Sequence, residues 1–262
     1  MTVLLSVLLA MVLIMACAWV FQRAVGNGGW GDVYWTFGTG AACVASALAS
    51  PWPPTPRQAI VAALAAIWSL RLGIHLLRRV ANSPEDARYA EFRSVWGARF
   101  QGRMFWLLQA QASATAVLAG AVFIAAHNPA PFGRLLDFGG LAVALIALVG
   151  EGVADAQLSR FKAAHRGGIA DRGLWRWSRH PNYFFEWLSW IAYALLAVGG
   201  GYPEGWLALA APALMFVLLN YVSGAPPLER SMLQSRGDAF RAYQARTSRF
   251  FPLPPRMEPG QR

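Results

Sequence analysis

Long apolar runs broken by short polar and basic stretches set the pattern of this chain. Seven runs are long enough to cross a hydrocarbon core: Val3 to Phe21, Val33 to Ala49, Ala59 to Leu77, Met104 to Ala126, Phe138 to Leu158, Tyr183 to Val198 and Trp206 to Val222. A helical crossing takes roughly 20 residues, and within lipid only a helix or a closed barrel satisfies its own backbone. The pattern predicts an all-α fold: a polytopic membrane helix bundle of seven transmembrane helices with short interfacial helices. Helices buried in a large soluble core would need long polar-faced helices elsewhere to solvate the particle, and the sequence offers none.

Charge orients the bundle, because Lys and Arg close to span ends stay cytoplasmic. With the amino terminus outside and the carboxy terminus cytoplasmic, only Arg57 and Arg134 fall outside and Arg71 lies within a span. Every other basic residue is then on the inner side, and removing any one span would move a strongly basic segment out. The chain is expected to cross its membrane several times, with its basic loops in the cytoplasm. No Lys or Arg precedes Arg23, so the first span reads as a retained anchor rather than a secretory signal.

The 262 residues are 56% hydrophobic and carry a formal net charge of +10. Such a charge would ordinarily raise nucleic acid as a partner. Here all but one of the 23 cations are Arg set beside spans, and no soluble recognition element presents them to a groove. The expected partners of these cations are anionic membrane lipids and a phosphorylated cofactor, and not nucleic acid. Cys17 and Cys43 both sit in apolar runs, and with no zinc or P-loop motif elsewhere no metal is expected. Gly26, Gly28 and Gly31 spell a dinucleotide fingerprint, but one that follows a membrane span instead of a β-strand reads as a turn.

Asn82-Ser83-Pro84-Glu85-Asp86 carries a cap residue, an early proline and two acids, which predicts a helix start there. Tyr89, Phe92, Trp96 and Phe100 then recur at helical spacing with Arg88, Arg93, Arg99 and Arg103 between them, the pattern of a helix in the headgroup layer. Arg88 and Arg93 are also candidate phosphate ligands.

Ionisable residues within spans are costly, which makes Arg71, His75, Glu151, Asp155 and Glu186 site candidates. Glu151, Asp155 and Lys162 share one stripe of the fifth span, where the acids either pair with an Arg or accept hydrogen bonds from a polar ligand. In the loop from Gly173 to Tyr183, Pro181 suits a first helical turn. His180 and Asn182 then lie at a helix amino end that favours an anion, with Arg176 and Arg179 beside it and Lys162, Arg166 and Arg172 nearby. Cations are unfavourable at that end alone, so an anion is expected between them. Asn182 and Glu186 are four residues apart and share a face. In the tail, Asp238 to Arg249 can form a short amphipathic helix, and Glu229, Tyr243 and Arg246 are its candidate contributors to the pocket.

At Gly173-Leu-Trp-Arg-Trp-Ser-Arg-His-Pro-Asn-Tyr-Phe-Phe-Glu-Trp187, the sequence resembles the integral-membrane superfamily of steroid 5-alpha-reductases, sterol C14 and C7 reductases and isoprenylcysteine carboxyl methyltransferases. It is most similar to the bacterial DUF1295 branch of steroid 5-alpha-reductase-like proteins. The resemblance implies a single membrane domain with substrate-side helices in 1–126, a reductase-like region in 138–252 that holds NADPH, and a tail in 253–262. It implies cofactor contacts at Glu151, Asp155, Lys162, Arg166, Trp175, Arg179, His180, Asn182, Tyr183, Glu186, Glu229 and Tyr243, with Gly237 completing an acid–glycine–tyrosine pattern. The Gln-Glu pair and the Tyr following a His that steroid reductases place against the ketone are missing, since His75 precedes Leu76. Asp32, His75 and Tyr89 are the candidates for the reacting end, chosen by chemistry and position.

The implied chemistry is reduction of the double bond of an enone-like lipid, with a hydrogen-bond donor stabilising the developing enolate. An S-adenosylmethionine-dependent methyltransferase and a non-enzymatic lipid-binding or haem-carrying protein stand as the alternatives. Asn182, Glu186 and the surplus of cations favour the reductase over the methyltransferase, whose cofactor has no phosphates.

Overall fold

A computed structural model describes residues 2–50, 52–165 and 167–256, and among them every regular element is a helix or helical turn. Each of the seven predicted spans is helical. Five helical stretches are long and apolar enough to cross a membrane: Thr2–Val25, Pro56–Asn82, Ala87–Ala126, Leu135–Ala164 and Pro203–Arg246. The second and sixth predicted spans form α2 (Trp30–Ala47, 18 residues) and α7 (Pro181–Ala197, 17 residues), somewhat short of the roughly 20 residues a crossing takes.

Two compact units divide the chain, one of Met1–Leu141 with Ile191–Leu214, the other of Ala142–Trp190 with Met215–Arg262. In the first, α1 (Thr2–Val25), α2, α3 (Pro56–Asn82) and α5 (Phe100–Ala126) pack together, with the short α4 (Ala87–Trp96) between α3 and α5. Lipid tails are as apolar as Leu, so such helices associate by close backbone approach at small residues. A Cβ at Gly40 would meet the Ser69 hydroxyl at 2.0 Å and one at Gly73 the Phe37 ring at 2.6 Å. The glycine cluster after α1 works in the same way. Gly26 adopts φ 76° and closes the helix by donating to Gln22 O at 2.8 Å. Cβ atoms at Gly28 and Gly31 would lie 2.8 Å from Tyr89 and Leu108, so this fingerprint-like run serves packing.

Helix starts follow local chemistry. Thr55 and Gln58 form a reciprocal capping box with Pro56 in the first turn of α3. The helix predicted from Asn82 begins later. α3 runs on through Asn82, and α4 starts at Ala87 with the Asp86 carboxylate accepting from Arg88 N at 2.9 Å. Asn82 cannot cap α4 because it is the last residue of α3, its amide donating to Arg78 O at 2.8 Å, while Glu85 is engaged by Gly28 N (2.8 Å) and Arg93.

The loops at the other end of this unit are held by Arg57, 3% exposed. It grips both oxygens of the fully buried Asp137 (2.8 and 2.9 Å) and donates to the carbonyls of Leu196, Ala130 and Pro131. Arg134 reaches the same carboxylate at 2.7 Å.

The last apolar run forms α8 (Ala210–Val217) and, in the second unit, passes through a π-turn, Leu218–Val222, before α9 (Ala225–Arg246). A Cβ at Gly224 would stand 2.4 Å from Leu219 O, so the exit from that turn requires glycine. The amphipathic tail helix predicted from Asp238 is the part of α9 beyond Gly237, ending at Arg246, and α9 itself opens with Pro226 and Pro227 in its tolerant first turn. The backbone breaks inside α9 at Gly237 (φ 49°, ψ −122°), which accounts for a glycine at that position.

Removing one partner of a buried ion pair leaves an uncompensated charge, at a cost of about 3–5 kcal/mol. Asp137→Ala strands Arg57 in this way and is expected to lower the thermal melting temperature of the detergent-solubilised protein markedly. An unchanged melt would show that Asp137 does not hold the loops.

Candidate functional site

The second unit gathers nearly all the predicted cofactor contacts. On α6 (Leu135–Ala164), Glu151 and Asp155 are buried while Lys162, further along the same stripe, is exposed. The following loop is fastened back onto this helix. Leu174 N donates to the Gln157 side chain at 2.9 Å, and the Trp175 indole donates to Ala154 O at 3.0 Å, which buries Trp175 within the turn Gly173–Arg176. Gly173 has φ 60°, with Gln157 where a Cβ would be.

Glu229 organises the next segment. Its carboxylate accepts from Arg179 Nε (2.8 Å), from the His180 ring at Nε2 (2.9 Å) and from Gln244 Nε2 (2.9 Å). A carboxylate only accepts, so His180 carries its proton on Nε2. Arg179 spends its remaining reach on the tail, donating from Nη1 to Thr247 O at 2.7 Å and Gln244 O at 3.2 Å, while its backbone N–H goes to Ser248 O. Ser178 Oγ donates to Phe250 O at 2.8 Å and accepts from His180 N, and the Tyr243 hydroxyl donates to Trp175 O. The anion expected between the loop arginines is thus met at Arg179 by a side chain of the same chain. Arg-His-Pro and the tail form one hydrogen-bonded body.

Past Pro181, Asn182 Nδ2 donates to Asp155 Oδ1 at 3.3 Å, joining α7 to α6. The Tyr183 ring stacks on His180 with centroids 5.4 Å apart. Glu186 is buried and accepts from the Trp190 indole at 3.0 Å. Arg172 and Arg176 are exposed, and neither has an acidic partner among the described residues. Arg166 lies outside the described residues.

In the first unit, Asp32 and Tyr89 come together. The Tyr89 hydroxyl donates to Asp32 Oδ1 at 2.7 Å and Arg88 Nη2 to Oδ2 at 2.6 Å. His75 is half-buried on α3 and takes no part in that bond pair. Arg88 and Arg93, candidate phosphate ligands by sequence, are held by Asp32 with Asp86 and by Glu85 respectively.

Ser178 and Gln244 contribute to the Glu229 network without having been singled out by sequence. A serine two residues before a His-Pro pair is a hydrogen-bonded turn signal. Gln244 carried no such cue. Asn220, buried in the π-turn, was not singled out either; its amide donates to Phe216 O at 3.1 Å.

The profile of a family described as "Protein of unknown function (DUF1295)" matches residues 18–247. An uncharacterized protein of Schizosaccharomyces pombe is 26% identical over 223 residues, covering 75% of this chain. The chain spans 63% of the length of that relative. No solved structure matches.

Burial pushes the His180 imidazole below its usual range, with Glu229 opposing and Arg179 and Arg249 assisting. Below about pH 6.5 the unfolded chain therefore takes up a proton that the folded chain resists. Stability is expected to be flat in this group above that pH and to fall as the pH drops below it. His180→Asn should shallow the acid limb of a melting-temperature profile, and an unaltered profile would refute the assignment. Arg179→Lys keeps the charge but loses the planar fork, and should expose the tail beyond Arg246 to trypsin. Unchanged digestion would show that the fork does not hold it.

Proposed function

The chain belongs to the DUF1295 family of the steroid 5-alpha-reductase-like superfamily, and from that premise we propose that it is an NADPH-dependent membrane oxidoreductase that reduces a carbon–carbon double bond in a lipophilic enone. The supporting observation is the polar set of the second unit. Glu151, Asp155 and Glu186 are buried acceptors, with Asn182 bridging to Asp155.

That polar set fits a nicotinamide nucleotide, which presents ribose hydroxyls and a carboxamide to acceptors and phosphates to cations. Glu151, Asp155, Asn182 and Glu186 would hold the sugar and amide groups, and Trp175 and Tyr183 would flank them. Lys162, Arg172 and Arg176 would meet the phosphates. Arg179, His180, Glu229 and Tyr243 would act one step back, fixing the loop and tail that carry these contacts. NADPH, when bound, supplies the hydride.

At the reacting end, Asp32 with Arg88 fixes the Tyr89 ring, and Tyr89 or His75 would donate to the substrate carbonyl. Tyr89 gives its proton to Asp32 as it stands, so polarising a carbonyl requires that bond to be exchanged for one to the substrate. An apolar surround strengthens such a donor by excluding water. On the same reading the chain crosses a bacterial inner membrane seven times, with its amino terminus outside and its basic loops within.

Isothermal titration of the purified protein with NADPH and with S-adenosylmethionine is the direct test. Binding of NADPH alone is expected, and exclusive binding of S-adenosylmethionine would replace the reductase with the methyltransferase. Losing a charge-assisted phosphate contact weakens binding by about tenfold or more. Arg172→Ala and Arg176→Ala should each do so for NADPH, and should matter less for NADH if they meet the 2′-phosphate. Equal affinity in the variants would remove them from the site.

A further inference from the structure

Asp32, Thr36, Thr39, Cys43 and Ser46 recur along α2 at steps of four and three. At about 100° per residue they fall within a stripe about 80° wide and about 21 Å long. All five are buried, and Thr36, Thr39 and Ser46 have no exposed surface. The stripe belongs to a helix packed on α1, α3 and α5, where hydroxyls replace the expected apolar seam.

Helical Ser and Thr commonly return their proton to the carbonyl one turn back. Ser113, Thr115, Ser189 and Ser235 do so here. Because Thr115 gives its proton to Gln111 O, the 2.8 Å contact between Thr39 and Thr115 has Thr39 as donor. Thr36 and Ser46 are different. Their hydroxyl oxygens are buried with no hydrogen-bond partner, and so is the amide oxygen of Gln111, whose backbone carbonyl accepts from both Trp35 and Thr115. Two fully buried hydroxyls on one stripe that decline the local bond need another partner. With no surface open at these positions, that partner is the smallest polar ligand, water.

We propose that the α2 stripe is a hydrated lane: ordered waters bridge Thr36, the Thr39–Thr115 pair and Ser46, and link them to Asp32. Such a lane carries protons through an otherwise apolar bundle. It goes beyond the reductase reading, and if that reading holds, it is a route by which this unit supplies the proton that completes the reduction.

Cys43, 1% exposed and on the stripe, is a built-in reporter. X-ray radiolysis turns bound water into hydroxyl radicals that oxidise adjacent sulfur. Full-length protein in lipid nanodiscs, equilibrated with heavy-oxygen water, would be pulsed and mapped by mass spectrometry. Met11 is the internal control, equally buried with its sulfur against Gly38 on another face of α2. Label is expected at Cys43 and not at Met11. It should persist in Thr36→Ser, which keeps the hydroxyl, and be lost in the combined Thr36→Val and Ser46→Ala variant. Cys43 labelled no more than Met11, or labelled equally in the combined variant, would overturn the lane. The readout needs no turnover, so its failure leaves the NADPH titration untouched, and failure of that titration leaves the lane standing.

Discussion

A carboxylate inside an apolar helical protein has to be met by donors from the protein, because lipid tails offer none and an unpaired charge costs more than a fold can bear. The recurring construction here is one acid tying together segments far apart in sequence. Asp137 joins the start of α3 to the loop before α6 through Arg57 and Arg134. Glu229 joins the loop before α7 to α9 through Arg179, His180 and Gln244. Glu85 joins the turn before α2 to α4 through Gly28 N and Arg93. Because helix faces are as apolar as their surroundings, these ties, rather than hydrophobic attraction, decide which segments meet.

Close packing sets the other requirement. Where small residues bring backbones together, as at Gly40 against Ser69, each added atom displaces a neighbour. The same close approach seals off polar atoms, which then need partners from within. Thr39 finds Thr115 and Ser69 finds Thr36 O at 3.1 Å. The unpaired hydroxyls of Thr36 and Ser46 differ from these, lying on the same stripe of α2 as the Thr39–Thr115 pair yet meeting neither a neighbouring hydroxyl nor the carbonyl one turn back.

The helices were legible because apolar runs of this length have few other fates, and a start was misplaced where a proline pointed to it. Pro84 suggested a start that Asp86 took over. The chemistry of the loop before α7 was also legible, in that cations beside a helix amino end require an anion. Which anion was not. Glu229 lies 50 residues downstream of Arg179, and no local pattern distinguishes a carboxylate of the same chain from a phosphate arriving from outside. Asp32 and Tyr89 came together as candidates picked separately, since a buried acid and a buried phenol are natural partners. Gln244 left no trace because a surface-compatible amide reads like any other.

The near absence of lysine follows from what the cations do. Arg57 serves a carboxylate and three backbone carbonyls at once, and Arg179 serves a carboxylate and two. Helix ends and tight loops leave several carbonyls unpaired within a few ångströms of each other, and a planar fork reaches them together where an ammonium group would satisfy one cluster and strand the rest. The basic composition that first suggested an anionic partner is thus in good part internal bracing. Arg172 and Arg176, exposed and without acidic partners among the described residues, are different in kind from Arg57 and Arg179, and it is the difference in engagement, rather than the charge they share, that separates cations holding the fold from cations able to hold a ligand.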